Sequence, residues 1–304
     1  MQTGAEKATE AGGVEKCKSG IFGFDEITEG GLPRGRSIIV AGGAGCGKTL
    51  FGMQFIVKGA VEYGEPGIFA AFEETAAGLA ENVSSLGWNI YELINQNRVG
   101  IEEIRIDPSV MQEAGEYNLE GLFVRLGSLV DSVGTKRIVL DSIEALFGAY
   151  SKEHLLRAEF RRLLQWLKQK GLTAVVTAEK GKPSLTRYGL EEYVSDCVIE
   201  LTQTLHRENA RRHLQVLKYR GSSHDNNVHP FLVGEDGIQV YSITSVGLNY
   251  PVYTERTRTG ISGLDTMFGG GRVLSGHQHP RFRYIRYRKI QCCSEFHKCC
   301  MQPR

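Results

Sequence analysis

The amino-acid sequence predicts an α/β domain: a mostly parallel β-sheet flanked by helices, with an antiparallel extension at its C-terminal end. Three observations carry this expectation. Short apolar runs alternate with helical patterns between residues 37 and 177, as in strands joined by crossover helices. A glycine-rich loop lies between the first such strand and the first such helix. Beyond residue 197, strand-like runs are joined by short turns, which suits antiparallel pairing.

The elements follow in order. Ser37-Ile-Ile-Val-Ala41 is a continuous apolar run, expected of a strand buried on both faces. From Gly47 to about Tyr63 a helix is expected, with Leu50, Phe51, Phe55 and Val57 apolar. Strands are expected at Gly67–Phe72, Ile101–Ile106, Arg137–Leu140 and Leu172–Thr177, with helical stretches between them. The clearest amphipathic helix runs from His154 to Lys170, where Leu155, Leu156, Phe160, Leu163, Leu164 and Leu167 recur at helical spacing. Cys197–Thr202, His213–Tyr219 and Gly237–Tyr241 are the expected strands of the extension.

Composition narrows the class. A chain of 304 residues, 41% hydrophobic and 23% charged, suits a globular protein with one large domain plus an appendage. No apolar run approaches the roughly 20 residues of a membrane span, and the first fifteen residues lack an apolar core. A cytoplasmic location is therefore expected. The net charge of +1 hides an asymmetry: residues 272–304 hold eight of the 36 Lys and Arg and one of the 35 Asp and Glu. That leaves 28 cations against 34 anions, or −6, on residues 1–271, which argues against a nucleic-acid surface. Cys17, Cys46 and Cys197 are scattered, whereas Cys292, Cys293, Cys299 and Cys300 crowd the tail. Their odd total argues against a disulfide framework.

Gly42-Gly43-Ala44-Gly45-Cys46-Gly47-Lys48-Thr49, with Leu50 next to it, fits the phosphate-binding pattern G-x-x-x-x-G-K-[ST] between a strand and a helix. Its glycines let backbone N–H groups and the helix N-terminus face phosphate. Lys48 is expected to reach the β and γ phosphates, and the Thr49 hydroxyl to ligate magnesium. Asp141 ends a hydrophobic strand, where it can hold the same ion or serve as a helix cap. Glu73 and Glu74 follow another strand and are expected at the sheet edge that carries Lys48. They can activate the attacking water, or form an acidic turn that starts the next helix; the sequence does not separate the pair. Lys218, Arg220 and His224 end a late strand, as an arginine finger across a subunit interface or as a solvated turn.

With these residues in view, the chain resembles the KaiC family of RecA-like P-loop ATPases. The resemblance rests on Ser19 to Gly31, the phosphate loop, Glu73-Glu74, Leu140-Asp141-Ser142 and Leu217 to His224, over roughly residues 14–271. It implies Mg-ATP held between subunits of a hexameric ring, with Glu73 and Glu74 as the catalytic pair and regulatory proteins as partners. It further implies that Lys218, Arg220 and His224, with Arg212 beside them, contact nucleotide on the neighbouring subunit. The family's circadian-clock serine/threonine autokinase label attaches to a second tandem domain, which is expected to be missing here beyond its opening. A recombinase- or helicase-like DNA motor and an inactive truncated fragment are the alternatives.

An internal repeat sets the domain boundaries. Ser19-Gly-Ile-Phe-Gly-Phe-Asp25 with Gly30-Gly31 recurs as Thr259-Gly-Ile-Ser-Gly-Leu-Asp265 with Gly270-Gly271, an offset of 240 residues. The expected organisation is a disordered start (1–13), an ATPase domain (14–247), a linker (248–257), the opening of a second domain (258–271) and a disordered tail (272–304). Codons for Arg281 to Ile290, read one base to the right, permit Val-Ser-Gly-Thr-Ser-Gly-Thr-Gly-Lys-Ser, a complete phosphate loop. The tail is thus read as a shifted frame. Its adjacent cysteine pairs lack zinc spacing, and its Arg-Tyr alternation is the alternative basis for a nucleic-acid arm.

Overall fold

The structure is a computed structural model that describes residues 13–104, 119–147, 153–181, 185–186, 189, 194–206, 209–242, 256–257, 263, 266 and 273–274. Expectations for residues 1–12, Ile106, most of 248–271 and the tail from 275, with its four cysteines, lie outside these residues. The chain divides into two compact units, Met1–Ser245 and Val246–Arg304.

The first unit begins with β1 (Lys16–Cys17), α1 (Phe24–Ile27) and β2 (Leu32–Pro33). Then come β3 (Ser37–Gly42), α2 (Lys48–Glu62), β4 (Gly67–Ala71), α3 (Ala76–Ser84), α4 (Ile90–Asn95) and β5 (Val99–Glu103). They are followed by α5 (Glu120–Val133), β6 (Arg137–Asp141), α6 (Ile143–Phe147), α7 (Glu153–Gln169) and β7 (Thr173–Glu179). The extension comprises β8 (Cys197–His206), β9 (Asn209–Tyr219), β10 (His229–Gly234) and β11 (Gly237–Val240).

Nine strands form one sheet in the order β11-β10-β9-β8-β3-β7-β6-β4-β5. From β8 through β5 neighbouring strands are parallel, and from β8 through β11 they are antiparallel. Successive residues of β3 feed opposite faces. Ile38 and Val40 pack into a core with α2, α3 and α4, while Ile39 and Ala41 pack into a second core with α5, α6 and α7. On α7, Leu156, Phe160, Leu163, Leu164 and Leu167 are all buried against that second core.

Three elements differ from expectation. Strand β5 begins two residues earlier, because Val99 and Gly100 pair with Gly67 and Ile68 before the run of isoleucines begins. Strand β10 is absent from the expectation, because Pro230, which cannot donate to the ladder, precedes a run of only three apolar residues, Phe231 to Val233; it pairs with β9 and β11. Strands β8 and β9 run on as a hairpin beyond Gly42, whose partner Leu201 lies five residues before the end of β8.

The edge of the sheet where the parallel strands begin is tied by a buried charge. Arg137 is fully buried at the start of β6. Its Nε donates to Glu65 Oε2 at 2.7 Å and a terminal nitrogen donates to Phe55 O at 3.1 Å, with the guanidinium over the Phe55 ring. Arg34 donates to the other Glu65 oxygen at 2.7 Å. Burial alone would raise the Glu65 carboxyl, but the hydrogen bonds and charges of the two arginines outweigh it and hold the group below its ordinary value.

Within the second unit, β12 (Arg256–Thr257) pairs antiparallel with β13 (Val273–Leu274). This repeats the β1–β2 pair at offsets of 240 and 241 residues. Its strands lie in the stretches expected from sequence to be linker (248–257) and tail (272–304). No helix among the described residues is long and apolar enough to cross a membrane.

Candidate functional site

The loop 42–47 joins β3 to α2 at the edge where the parallel strands end. Two glycines are required there by geometry. A Cβ on Gly42 would lie 2.4 Å from Cys46 Sγ and 2.6 Å from Leu201 O, and Gly47 has φ +105°, in the left-handed region. Gly47 caps α2 without a side-chain hydrogen bond, and the first turn holds no acidic residue. The N-terminal N–H groups and the positive end of the helix dipole are therefore left for an anion. Residues 43–45 are exposed, while Cys46 is buried beneath them. Burial pushes the Cys46 thiol up and the Lys48 charge opposes it, so the thiol stays protonated and serves as packing.

Lys48 folds back over its own loop: Nζ donates to Gly42 O at 2.9 Å and to Gly43 O at 3.1 Å. An ammonium resting on two loop carbonyls lies where phosphates would be wrapped, and can exchange those contacts for phosphate oxygens.

Asp141 ends β6, separated from β3 by β7 alone, so roughly 10 Å of sheet lies between the two strands. Thr177 on β7 donates its hydroxyl to Asp141 Oδ1, which leaves Oδ2 open. A hydroxyl from Thr49 and one carboxylate oxygen from Asp141 suit magnesium, which takes few protein oxygens and completes its shell with phosphate and water. Among the described residues no group of three or more His, Cys, Asp or Glu could hold a metal ion without such help.

The two glutamates have different surroundings. Ser142 Oγ donates to Glu73 Oε1 at 3.1 Å, and Phe72 N donates to Asp141 O at 2.8 Å, so Glu73 is fastened to the strand end that carries Asp141. Glu74 instead accepts from Asn82 of α3 at 3.1 Å. Thr75 caps α3 by accepting from Gly78 N at 3.1 Å, so that helix has a cap that does not use either carboxylate.

The four basic residues do not form one cluster. Lys218 and Arg220 lie at the opposite edge of the sheet, where Tyr219 pairs with Cys197 and Cys197 with Ile38. That places them about 15 Å along the strands from Gly42, out of reach of their own phosphate loop. Arg220 N donates to Asp196 O at 2.9 Å, and His224 stacks on Tyr219 with ring centroids 6.0 Å apart. Arg212 pairs with Gln203, beyond the Gly42–Leu201 register, and so lies at the phosphate-loop edge of its own chain. The resemblance groups Arg212 with the other three, whereas the β8–β9 register puts it toward the other end of β9. Sequence reasoning also gives no role to Ser142 and Thr177, polar residues near strand ends, or to Asn82 on α3.

This fold and loop define a RecA-like P-loop ATPase. A family profile described as "ATPase: KaiC" matches residues 17–245, and the chain belongs to that family. It is 57% identical over 261 residues to "Circadian clock protein KaiC2" of Synechocystis sp. (strain ATCC 27184 / PCC 6803 / Kazusa), covering 86% of this chain and 46% of that protein. It is 40% identical over 260 residues to "Circadian clock oscillator protein KaiC" of Prochlorococcus marinus subsp. pastoris, covering 85% and 51%. The protein of the same name from Parathermosynechococcus lividus is 39% identical over 265 residues, covering 86% and 49%. The chain spans about half the length of these curated relatives.

Proposed function

We propose that residues 14–247 bind Mg-ATP and hydrolyse it at an interface between copies of the chain, in a ring of KaiC type in the cytoplasm. The observation that carries this reading is the division of the basic residues between the two sheet edges. A nucleotide on loop 42–47 has Lys48 and Arg212 from its own chain, and Lys218, Arg220 and His224 can meet it only from another. Gly42 to Leu50 cradle the phosphates, and Thr49 with Asp141 hold magnesium, which when bound neutralises charge on the β and γ phosphates. Glu73, fastened by Ser142, accepts the proton of the attacking water, and Glu74 supports the local field. Breaking the γ-phosphate bond then gives ADP and phosphate. The acidic body of the chain favours this ATPase reading over a DNA motor. The clock role named in the relatives is proposed for this chain as the load the hydrolysis serves, through regulatory proteins; the autokinase label concerns a second domain.

Mixing tests the shared site. Lys48→Ala and Arg220→Ala chains are each expected to hydrolyse ATP poorly, and a mixture to recover part of the turnover where an intact loop meets an intact Arg220. No recovery in mixtures that do assemble would overturn the shared site.

For residues 258–304 we propose the opening of a second such domain, followed by a shifted frame. The repeat at 240 residues and the recurrence of the β1–β2 pair as β12–β13 support the first part. Codons for residues 281–290 that do not permit the hidden glycines would remove the second.

A further inference from the structure

A cavity of about 560 Å³ lies between the Gly20–Glu26 segment, the second half of α2 and the β10–β11 hairpin. It is separate from the nucleotide site: Lys58, on its wall, is ten residues along α2 from Lys48, about 15 Å.

Two features of the cavity exceed what the fold uses. The first is aromatic. Phe22 is 64% exposed although its neighbours Ile21 and Phe24 are buried. Its backbone does the structural work, Phe22 O accepting from Val240 N at 2.9 Å, while its ring stands in solvent edge-on to Tyr241, centroids 6.3 Å apart. Tyr63 adds a third ring, 40% exposed, with the Arg137 guanidinium 5.3 Å from its centroid. The second feature is charge. Asp25, Glu26, Glu62 and Asp236 line the cavity against a single cation, Lys58, which is paired with Glu62 at 2.8 Å, while Asp25 accepts from Ser19 N and Oγ at 3.0 and 2.7 Å. The carboxylates of Glu26 and Asp236 are exposed, with no hydrogen bond or ion pair among the described residues.

Exposed π faces beside uncommitted carboxylates match one side chain best. A guanidinium stacks on an aromatic ring and donates in a planar fork to carboxylates, whereas an ammonium does neither as well. We propose that this cavity is a docking site for an arginine-bearing segment of a partner protein. An arginine packs against Phe22 and Tyr241 and donates to Glu26 and Asp236, and the buried Gln54 keeps the walls together. Gln54 Nε2 donates to Gly20 O at 3.2 Å and to Ile238 O at 3.3 Å, and its Oε1 accepts from Ile238 N at 2.7 Å. The site therefore comes preformed, which lowers the cost of binding.

The test is fluorescence anisotropy of a labelled Gly-Arg-Gly-Arg-Gly-Arg peptide titrated with the full chain at physiological salt, beside Gly-Lys and Gly-Glu counterparts. Saturable binding of the arginine peptide is expected, with weaker binding of the lysine peptide and none of the glutamate peptide. Phe22→Ala leaves every charge in place and is expected to weaken binding about tenfold. Glu26→Gln with Asp236→Asn, at two exposed positions whose carboxylates make no hydrogen bond or ion pair among the described residues, is expected to weaken it at least as much. ATP binding is expected to stay unchanged in all variants. Absence of saturable binding, equal binding of the lysine peptide, or wild-type affinity in Phe22→Ala and in the carboxylate variant would each overturn the proposal.

Discussion

The two edges of the parallel sheet are built from the same kinds of residue and put to opposite use. Where the strands end, loop residues 43–45 are exposed, Lys48 rests on loop carbonyls, and Glu73 and Glu74 are exposed, accepting from Ser142 and Asn82 respectively. Where the strands begin, Arg137 is fully enclosed and two arginines share the Glu65 carboxylate. One edge keeps its charges available for a ligand. At the other, the Arg34–Glu65–Arg137 cluster spends its charges internally. A lysine that can exchange one set of oxygens for another contributes little to stability, whereas a buried charge that loses its partner is costly.

The sharpest way to break that contrast is at the closed edge. Glu65→Gln leaves the fully buried Arg137 without a counter-charge and is expected to cost about 3–5 kcal/mol of stability, read by urea unfolding. Hydrolysis per folded molecule is expected to be unchanged. A loss below about 1 kcal/mol would mean the arginines find other partners, and the two edges would not differ as described.

A smaller effect follows from pH. Glu65 is held below its ordinary value of 4.5 in the folded chain. Its contribution is therefore fully present above about pH 4.5 and is lost as pH falls through the folded value. Melting temperature is expected to drop below about pH 4.5, and Glu65→Gln to drop less steeply over the same window. Parallel slopes would assign acid sensitivity to other carboxylates.

Legibility in the sequence follows the same division. The open edge is written in local patterns: a strand, eight consecutive residues of a phosphate loop and a helix, with Asp141 and the two glutamates each at a strand end. Such features survive linear reading because every residue the chemistry needs lies within one turn or one strand terminus. The closed edge is assembled from Arg34, Glu65 and Arg137, which are far apart in the chain, and Arg137 in isolation reads as an ordinary polar start to a strand. The same limit explains Arg212 on β9 and Arg220 just past its end, eight residues apart in the chain yet at opposite sheet edges. It also hid the third strand of the extension, since Pro230 masks a segment that only its neighbours hold.

Steady-state hydrolysis of ATP with magnesium, measured for the full chain beside Lys48→Ala, Glu73→Gln and Glu74→Gln, with a melting curve for each, bears most directly on the open edge as an ATPase site. The expected result is turnover by the unaltered chain, a loss of about 10²–10³-fold in Lys48→Ala and in Glu73→Gln, a smaller loss in Glu74→Gln, and superimposable melting curves. Turnover in Lys48→Ala equal to that of the unaltered chain, or no turnover in any of the four proteins, would contradict it.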